Sequence, residues 1–245
     1  MKNLLRGVRQ VRKEIKRMLR GEVKCTAGTL TDDDLTESLG RDDPLILEIG
    51  CNDGSHTEWF LKLFPEAEVH CFEPDPRSLR KFRDRINSKR AAVHSLAISD
   101  HNGEIDFHVS GGLPPDASEE EYPEGWDCSG SIRQPKEVLK THPWCTFDQT
   151  ITVLTRTLDS WCEENGLADR TVDFIWADVQ GAKIDLIRGA RETLQRTRYF
   201  FTEYNNQELY KGQIGLNPLL RELPHFEVVT RYSDDVFLRN KMKGL

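Results

Sequence analysis

The sequence predicts an α/β fold, a parallel sheet wrapped by helices, and three observations carry that reading. Strand-like and helical runs alternate from residue 44 onward. The first strand-like run, Leu45–Ile49, breaks through "GCNDG" into a helical pattern. A later run, Val172–Ala177, is apolar almost throughout, as a strand covered on both faces must be.

Taken in order, strands are expected at 45–49, at 68–72 (Glu-Val-His-Cys-Phe) and at 93–98 (Val-His-Ser-Leu-Ala-Ile), with helices at 55–64 and 76–88. That is βαβαβ, hence parallel pairing. Residues 104–109 alternate and suggest a further strand. Residues 110–131, "SGGLPPDASEEEYPEGWDCSGS", are rich in Gly, Pro and acid. A loop this long inside a domain reads either as a lid over a site or as disorder. Regularity returns at 150–155, then a helix near 157–165, a strand at 172–177 ending at Asp178, a helix from about 181 to 196, and a strand at 199–202 ending at Glu203. Runs at 226–231 and 235–239, split by Ser233-Asp234, predict a closing antiparallel hairpin. The division is therefore residues 1–43, a basic amphipathic helix and linker, and residues 44–240, one domain with an insertion at about 110–145.

Composition sets limits. The 245 residues are 37% hydrophobic and 31% charged, enough for one sizeable core. No apolar stretch is long enough to span a membrane, and the basic N-terminus lacks a signal peptide's apolar core. Cysteines 25, 51, 71, 128, 145 and 162 form no CxxC pair, which fits a reducing, cytoplasmic setting. Residues 1–24 carry nine Lys/Arg and two Glu, net +7; with −7 for the whole chain, residues 25–245 carry −14. So acidic a body argues against nucleic acid as a partner. In residues 1–20, Leu4, Leu5, Val8, Val11, Ile15, Met18 and Leu19 recur at helical spacing among basic residues. Such a helix packs on its own domain, self-associates, or lies on an anionic membrane surface, here the inner face. Thr31-Asp32-Asp33-Asp34 marks a short acidic helix in the linker.

A strand turning through glycines into a helix offers backbone N–H groups and a helix N-terminus to a ligand. The dinucleotide pattern G-x-G-x-x-G fails here, because positions 52 and 55 are Asn and Ser. That disfavours an NAD-dependent oxidoreductase. Glu48-x-Gly50-x-Asn52-x-Gly54 instead fits the turn that holds S-adenosylmethionine, and Asn52 tolerates left-handed geometry. The ligand's ammonium wants a carboxylate, and Glu48 and Asp53 are near. Its carboxylate wants donors, which the Ser55-His56-Thr57 helix start supplies. Glu73, in "HCFEPDP", ends the next strand, where an acid accepts bonds from ribose hydroxyls.

These segments, with "VHSLAISDHNGEIDF", "TRTLDSW" and "VDFIWADVQGAKIDLIRGARETL", in this order and spacing, resemble the FkbM-type S-adenosylmethionine-dependent methyltransferases over roughly residues 45–204. The resemblance implies a seven-stranded class I methyltransferase sheet and methyl transfer to oxygen, often a sugar hydroxyl of a glycan, a lipid-linked sugar or a glycosylated metabolite. It implies cofactor contacts from Glu48, Gly50, Asn52 and Gly54, ribose on Glu73, adenine near Ser95 and Ala97, and Asp178 beside the transferring methyl; His56, by its place at the helix start, reads as lining the cofactor's amino-acid end. The family's run D-x-E-G-x-E reads Asp178-Val179-Gln180-Gly181-Ala182-Lys183 here, so both glutamates are replaced.

A hydroxyl is a weak acid, so a base or a metal is expected. Asp178 ends a buried strand, where a carboxylate's pKa rises or a cation binds; an N-cap role competes. Glu203 ends the neighbouring strand, and the two carboxylates together suggest a Mg²⁺ site. His142, after the insertion, is a further base candidate, while His70, His94 and His108 read as sheet residues. Lys183 reads as a solvated helix residue and Arg156 as an ordinary ion-pair partner. Tyr122, Trp126 and Trp144 either stack on a sugar or pin the insertion. The sequence thus predicts an O-methyltransferase. The rival class is a nucleotide-binding scaffold without turnover, which the replaced glutamates motivate.

Overall fold

The computed structural model describes residue 26 and residues 28–242. The basic segment 1–24, expected as an amphipathic helix, lies outside the described residues. Helix α1 (Asp32–Leu39) is the acidic linker helix. It opens on a capping box, in which the Thr31 hydroxyl accepts from the Asp34 N–H and the Asp34 carboxylate accepts from the Thr31 N–H.

The main sheet is built from β1 (Leu45–Ile49), β2 (Glu68–Phe72), β3 (Ala91–His94), β7 (Val172–Ala177), β8 (Thr197–Glu203), β9 (Phe226–Arg231) and β10 (Asp235–Asn240). Its order is β3-β2-β1-β7-β8-β10-β9. Strands β3, β2, β1, β7 and β8 pair in parallel, while β10 runs antiparallel to both β8 and β9. The expected closing hairpin is therefore present, with its second strand inserted beside β8. Helices α2 (Ser55–Leu63) and α3 (Pro76–Arg85) link the first strands. Helices α5 (Leu158–Glu164), α6 (Lys183–Arg188), α7 (Arg191–Gln195) and α8 (Leu216–Glu222) follow.

Both faces of the sheet are covered, and alternation along β1 shows it. Leu45, Leu47 and Ile49 join Phe72, Trp161, Ile175 and Leu186 on one face. Ile46 joins Phe60, Val69, Cys71, Phe174 and Trp176 on the other. At the strands' far end, buried Asp173 accepts from the Leu45 N–H (2.9 Å) and from Arg198 (2.8 Å), tying β1, β7 and β8 together.

Three expected elements differ. The strand at 93–98 is broken: β3 ends at His94, and β4 (Ala97–Ile98) belongs to a second sheet of order β4-β6-β5 with β5 (Gly103–Gly112) and β6 (Cys145–Arg156). The single helix over 181–196 is two, parted at Gly189, where a Cβ would lie 1.9 Å from the Ser99 carbonyl oxygen. Backbone contact with the β4 exit therefore overrides helical periodicity. The helix expected to reach 88 ends at Arg85. Strands β5 and β6 form a hairpin carrying the insertion, with helix α4 (Val138–Thr141) inside it.

Candidate active site

A cavity of about 650 Å³ opens at the carboxyl ends of β1, β2 and β7, where open α/β sheets place ligands. Its floor is the turn Gly50–Asp53. Gly50 has φ +84, and a Cβ there would lie 1.9 Å from the Asp178 carbonyl oxygen. Only glycine lets the ends of β1 and β7 run this close. The Asp178 N–H donates to the Ile49 carbonyl at 2.9 Å, completing that contact. Asn52 is also left-handed, with φ 45. Its N–H donates to Glu73 Oε2 (2.9 Å), and its side-chain amide donates to Ser78 Oγ and to the Asp127 carbonyl, both at 3.0 Å.

Gly54 caps α2 and packs against Phe82, which a Cβ would approach to 2.8 Å. It sets the turn but does not line the cavity. The first helical bond of α2 runs from the Glu58 N–H to the Gly54 carbonyl, so the His56 and Thr57 amides precede it. His56 lines the cavity and packs on Trp176 with ring centroids 4.3 Å apart, and desolvation there lowers its pKa. Glu73 lines the next wall. Its other oxygen accepts from the Asp75 N–H at 2.8 Å, and burial pushes its pKa up to about 8 against the pull of these two amides. Beyond it, Phe72, Leu96, Ala97, Ile98 and Phe107 form an apolar wall.

Besides Gly54, two further expected contacts stand off the cavity. Glu48 does not line the cavity: it is fully buried behind β1, where the Thr57 hydroxyl donates to it and the Cys71 thiol lies 3.7 Å away. Burial pushes it up to about 8. Strand alternation explains this, since Glu48 points to the same face as Ile46. Ser95 likewise stands off the cavity, in the break between β3 and β4, while Ala97 is on the wall.

At the other end stands Asp178, with Gln180 Nε2 donating to its Oδ1 at 2.6 Å. Burial first, and the Glu203 charge second, raise the Asp178 pKa to about 7, against the pull of Lys183 and Gln180. Glu203 ends β8, and Asp235 is its register partner on β10. Burial and Glu203 raise Asp235 to about 6. Lys183 opens α6 and is buried, with its Nζ 2.9 Å from Glu203 Oε1. That corrects the reading of a solvated lysine. The same ion pair occupies the Glu203 oxygen that a Mg²⁺ ion shared with Asp178 would need. Among the described residues, no group of three or more His, Cys, Asp or Glu is placed to hold a metal ion. His142 does not reach the site: it caps α4 in an exposed position, beside the Thr141 hydroxyl at 3.0 Å and edge-on to Trp144. The short α4 docks it on the outside of the hairpin.

The insertion covers the cavity. Tyr122, Asp127, Cys128, Ser131 and Ile132 line it. Basic residues of α3 hold it down: Lys81 Nζ to Asp127 (2.7 Å), Arg80 to Glu124 (2.7 Å and 2.5 Å), and Arg77 to the Ser110 and Glu124 carbonyls. Trp126 meets Tyr122 and Trp144 and donates to Ser129 Oγ at 2.8 Å, so it pins the loop. Tyr210 fixes the far side. Its hydroxyl donates to the Ser129 carbonyl at 2.8 Å and lies 3.3 Å from Gln180 Oε1. Sequence reasoning missed Lys81, Asp127, Tyr210 and Asp235 as neighbours of the site. The one available signal was the acidic insertion facing a helix with Arg77, Arg80 and Lys81 in its first turns.

The sheet order, its one antiparallel strand and a site on the β1 turn define a class I methyltransferase. Residues 48–243 match the Methyltransferase FkbM domain. The chain belongs to that family and is an S-adenosylmethionine-dependent methyltransferase. It is 45% identical over 235 residues to the 2-O-methyltransferase NoeI of Sinorhizobium fredii, covering 94% of this chain and 93% of that protein. Among solved structures it is similar to human methyltransferase-like protein 13 in complex with SAH (13% identity, TM-score 0.44, 86% of this chain and 80% of that one). It is also similar to the Methanococcus jannaschii fibrillarin pre-rRNA processing protein (12%, TM-score 0.42, 85% and 70%).

Proposed function

We propose that this protein methylates a sugar hydroxyl, with Asp178 as the general base. The observation that carries this is Asp178 itself, a carboxylate on the cavity wall beside the glycine turn, with a pKa raised to about 7. A base of that strength is half-deprotonated near neutrality and takes a proton from a hydroxyl as it attacks. The cofactor supplies an activated methyl group, and the rest falls to the chain's own residues. The Asn52 turn and the His56 and Thr57 amides suit the amino-acid end, Glu73 the ribose, and Leu96, Ala97 and Ile98 the adenine. Glu73 keeps lone pairs free on both oxygens after accepting one amide each, which fits a diol.

The acceptor then enters beneath the insertion, past Tyr122, toward Asp178. The relative's printed activity, 2-O-methyl transfer, makes a 2-hydroxyl the first position to test. A lipid-linked sugar fits the basic segment 1–24, which in this reading holds the protein at an anionic membrane surface. Sedimentation with anionic vesicles, with and without residues 1–24, tests that part.

The main test incubates the purified protein with methyl-labelled S-adenosylmethionine and a panel of oligosaccharides. Label on oxygen of one sugar, lost in Asp178→Asn while S-adenosylhomocysteine still binds by calorimetry, is the expected result. Binding of the cofactor product with no transfer to any acceptor would instead favour a scaffold.

A further inference from the structure

Asp178, Glu203 and Asp235 come from neighbouring strand ends, β7, β8 and β10. Carboxylates gathered this way repel one another and need a counter-charge. In many sites a divalent cation provides it. Here the chain provides its own. Lys183, the first residue of α6, is buried to 2% exposure, and lysine is almost never buried so far unless paired. Its pair is Glu203, at 2.9 Å. A cation at a helix start also opposes the helix dipole, so this lysine is held there by the carboxylates rather than by its helix. The Gln180 amide also donates into the cluster, to one oxygen of Asp178. Lys183 itself does not line the cavity, whereas Asp178 does.

We propose that the Lys183 ammonium is the resident cation of this site, standing where a divalent ion would otherwise bridge the β7 and β8 carboxylates, so that the protein works without metal. Lys183 is then a positioning residue. It draws Glu203 to itself and leaves Asp178 as the carboxylate that faces the acceptor. This rests on the reading of Asp178 given above, but metal binding can be measured without turnover, so the two fail separately.

The experiment follows Mn²⁺ uptake by electron paramagnetic resonance on the full-length wild type, on Lys183→Glu, and on Lys183→Glu combined with Glu203→Gln. The wild type is expected to take up no site-bound Mn²⁺. Lys183→Glu, which exchanges the cation for an acid, is expected to bind one ion per chain, and the double variant to lose it. A wild-type site for Mn²⁺ that the single variant Glu203→Gln, run beside these, abolishes would overturn the proposal, as would a folded Lys183→Glu that takes up none. Lys183→Gln removes the charge while keeping a polar donor and guards against a folding failure. Its affinity for S-adenosylhomocysteine should match the wild type, while kcat falls about tenfold or more with KM for the cofactor unchanged. Full activity in Lys183→Gln, or wild-type activity abolished by EDTA and restored by Mg²⁺, would refute the role. If S-adenosylhomocysteine binds none of the proteins, the cofactor reading fails and the Mn²⁺ result still decides the cation.

Discussion

Asn52 offers the sharpest test of how the site is built, because it does two things at once. It occupies a left-handed position at φ 45, and its amide reaches across to Ser78 and to the Asp127 carbonyl in the insertion, both at 3.0 Å. Asn52→Gly keeps the left-handed turn and removes both bonds. At about 1 kcal/mol per bond the loss is about 2 kcal/mol, reduced by glycine's ease in that conformation. Asn52→Ala removes the same bonds and adds roughly 1 kcal/mol of left-handed strain, for about 3 kcal/mol in all. The bond to Asp127 is also one of the few that tie the insertion to the turn. Its loss should favour lid opening by a few-fold to tenfold, since about 1.4 kcal/mol is a factor of ten. Urea denaturation gives the first quantity, and hydrogen exchange of the segment 121–131 gives the second. Both variants should speed exchange there, and the alanine should be the less stable. Equal stabilities would show that the turn does not hold residue 52 left-handed. Unchanged exchange in both would show that the lid is held by its other contacts, those of Lys81, Arg80, Arg77, Ser131 and Tyr210, without Asn52.

The pH dependence of turnover follows from Asp178. Its pKa is raised to about 7, so it is protonated below that value, and kcat/KM should fall as pH drops through about 7; a profile flat from pH 8 to pH 5 would remove Asp178 as the base. Glu48 gives a stability test of the opposite kind. Its folded pKa of about 8 lies above its ordinary value of 4.5, so the native state holds the extra proton. Its stabilising share is full below about pH 4.5 and is lost as pH rises through about 8. Glu48→Gln keeps the neutral form and should flatten that fall, making the variant the more stable at pH 9 but not at pH 5; identical melting curves at both would contradict the burial argument. Gly50→Ala must place a Cβ where the Asp178 carbonyl lies, at 1.9 Å, on top of left-handed strain. A loss of at least about 3 kcal/mol is expected in urea denaturation, and wild-type stability would mean that the β1 and β7 ends are not so close.

Much of this was legible in the chain because the relevant physics is local. The Leu45–Ile49 run, the turn after it and the Val172–Ala177 run each carry their own signal, and strand-helix alternation forces parallel pairing. The glycine turn announced a ligand site for the same reason. What stayed hidden depends on contacts between distant parts. Gly189 lies inside the single helix expected from about 181 to 196, yet the Ser99 carbonyl occupies the space beside it and parts the helix there. Glu48 looked like a ligand contact because its motif fits one, yet strand alternation turns it into the core. Lys183 had the spacing of a surface residue. Its burial follows from Glu203, twenty positions later, and no window of sequence contains both. His142 was placed near the site by its order in the chain, whereas the β5–β6 hairpin carries it outward.

Two non-glycine residues sit at positive φ among the described residues, Asn52 and Gln180, each in the turn that follows one of the central strands β1 and β7. That placement has a common cause. Each turn must leave its strand sharply enough to spare room for the cavity, and each then meets the insertion. Asn52 donates to the Asp127 carbonyl, and the Gln180 carbonyl accepts from Ser131 Oγ at 2.7 Å. The lid segment 127–131 is therefore anchored at one end to the glycine turn after β1 and at the other to the turn after β7 that carries Asp178. Gln180 extends the connection, since its side chain donates to Asp178 and lies against Tyr210. Residues held in sparsely populated backbone states persist where their surroundings over-determine them, and here both sets of surroundings include the lid. A change at either turn is thereby felt at the other through only a few residues. Closure of the insertion and orientation of the Asp178 carboxylate are on this argument one structural event, and a substitution that frees the lid at Asn52 should also loosen Asp178.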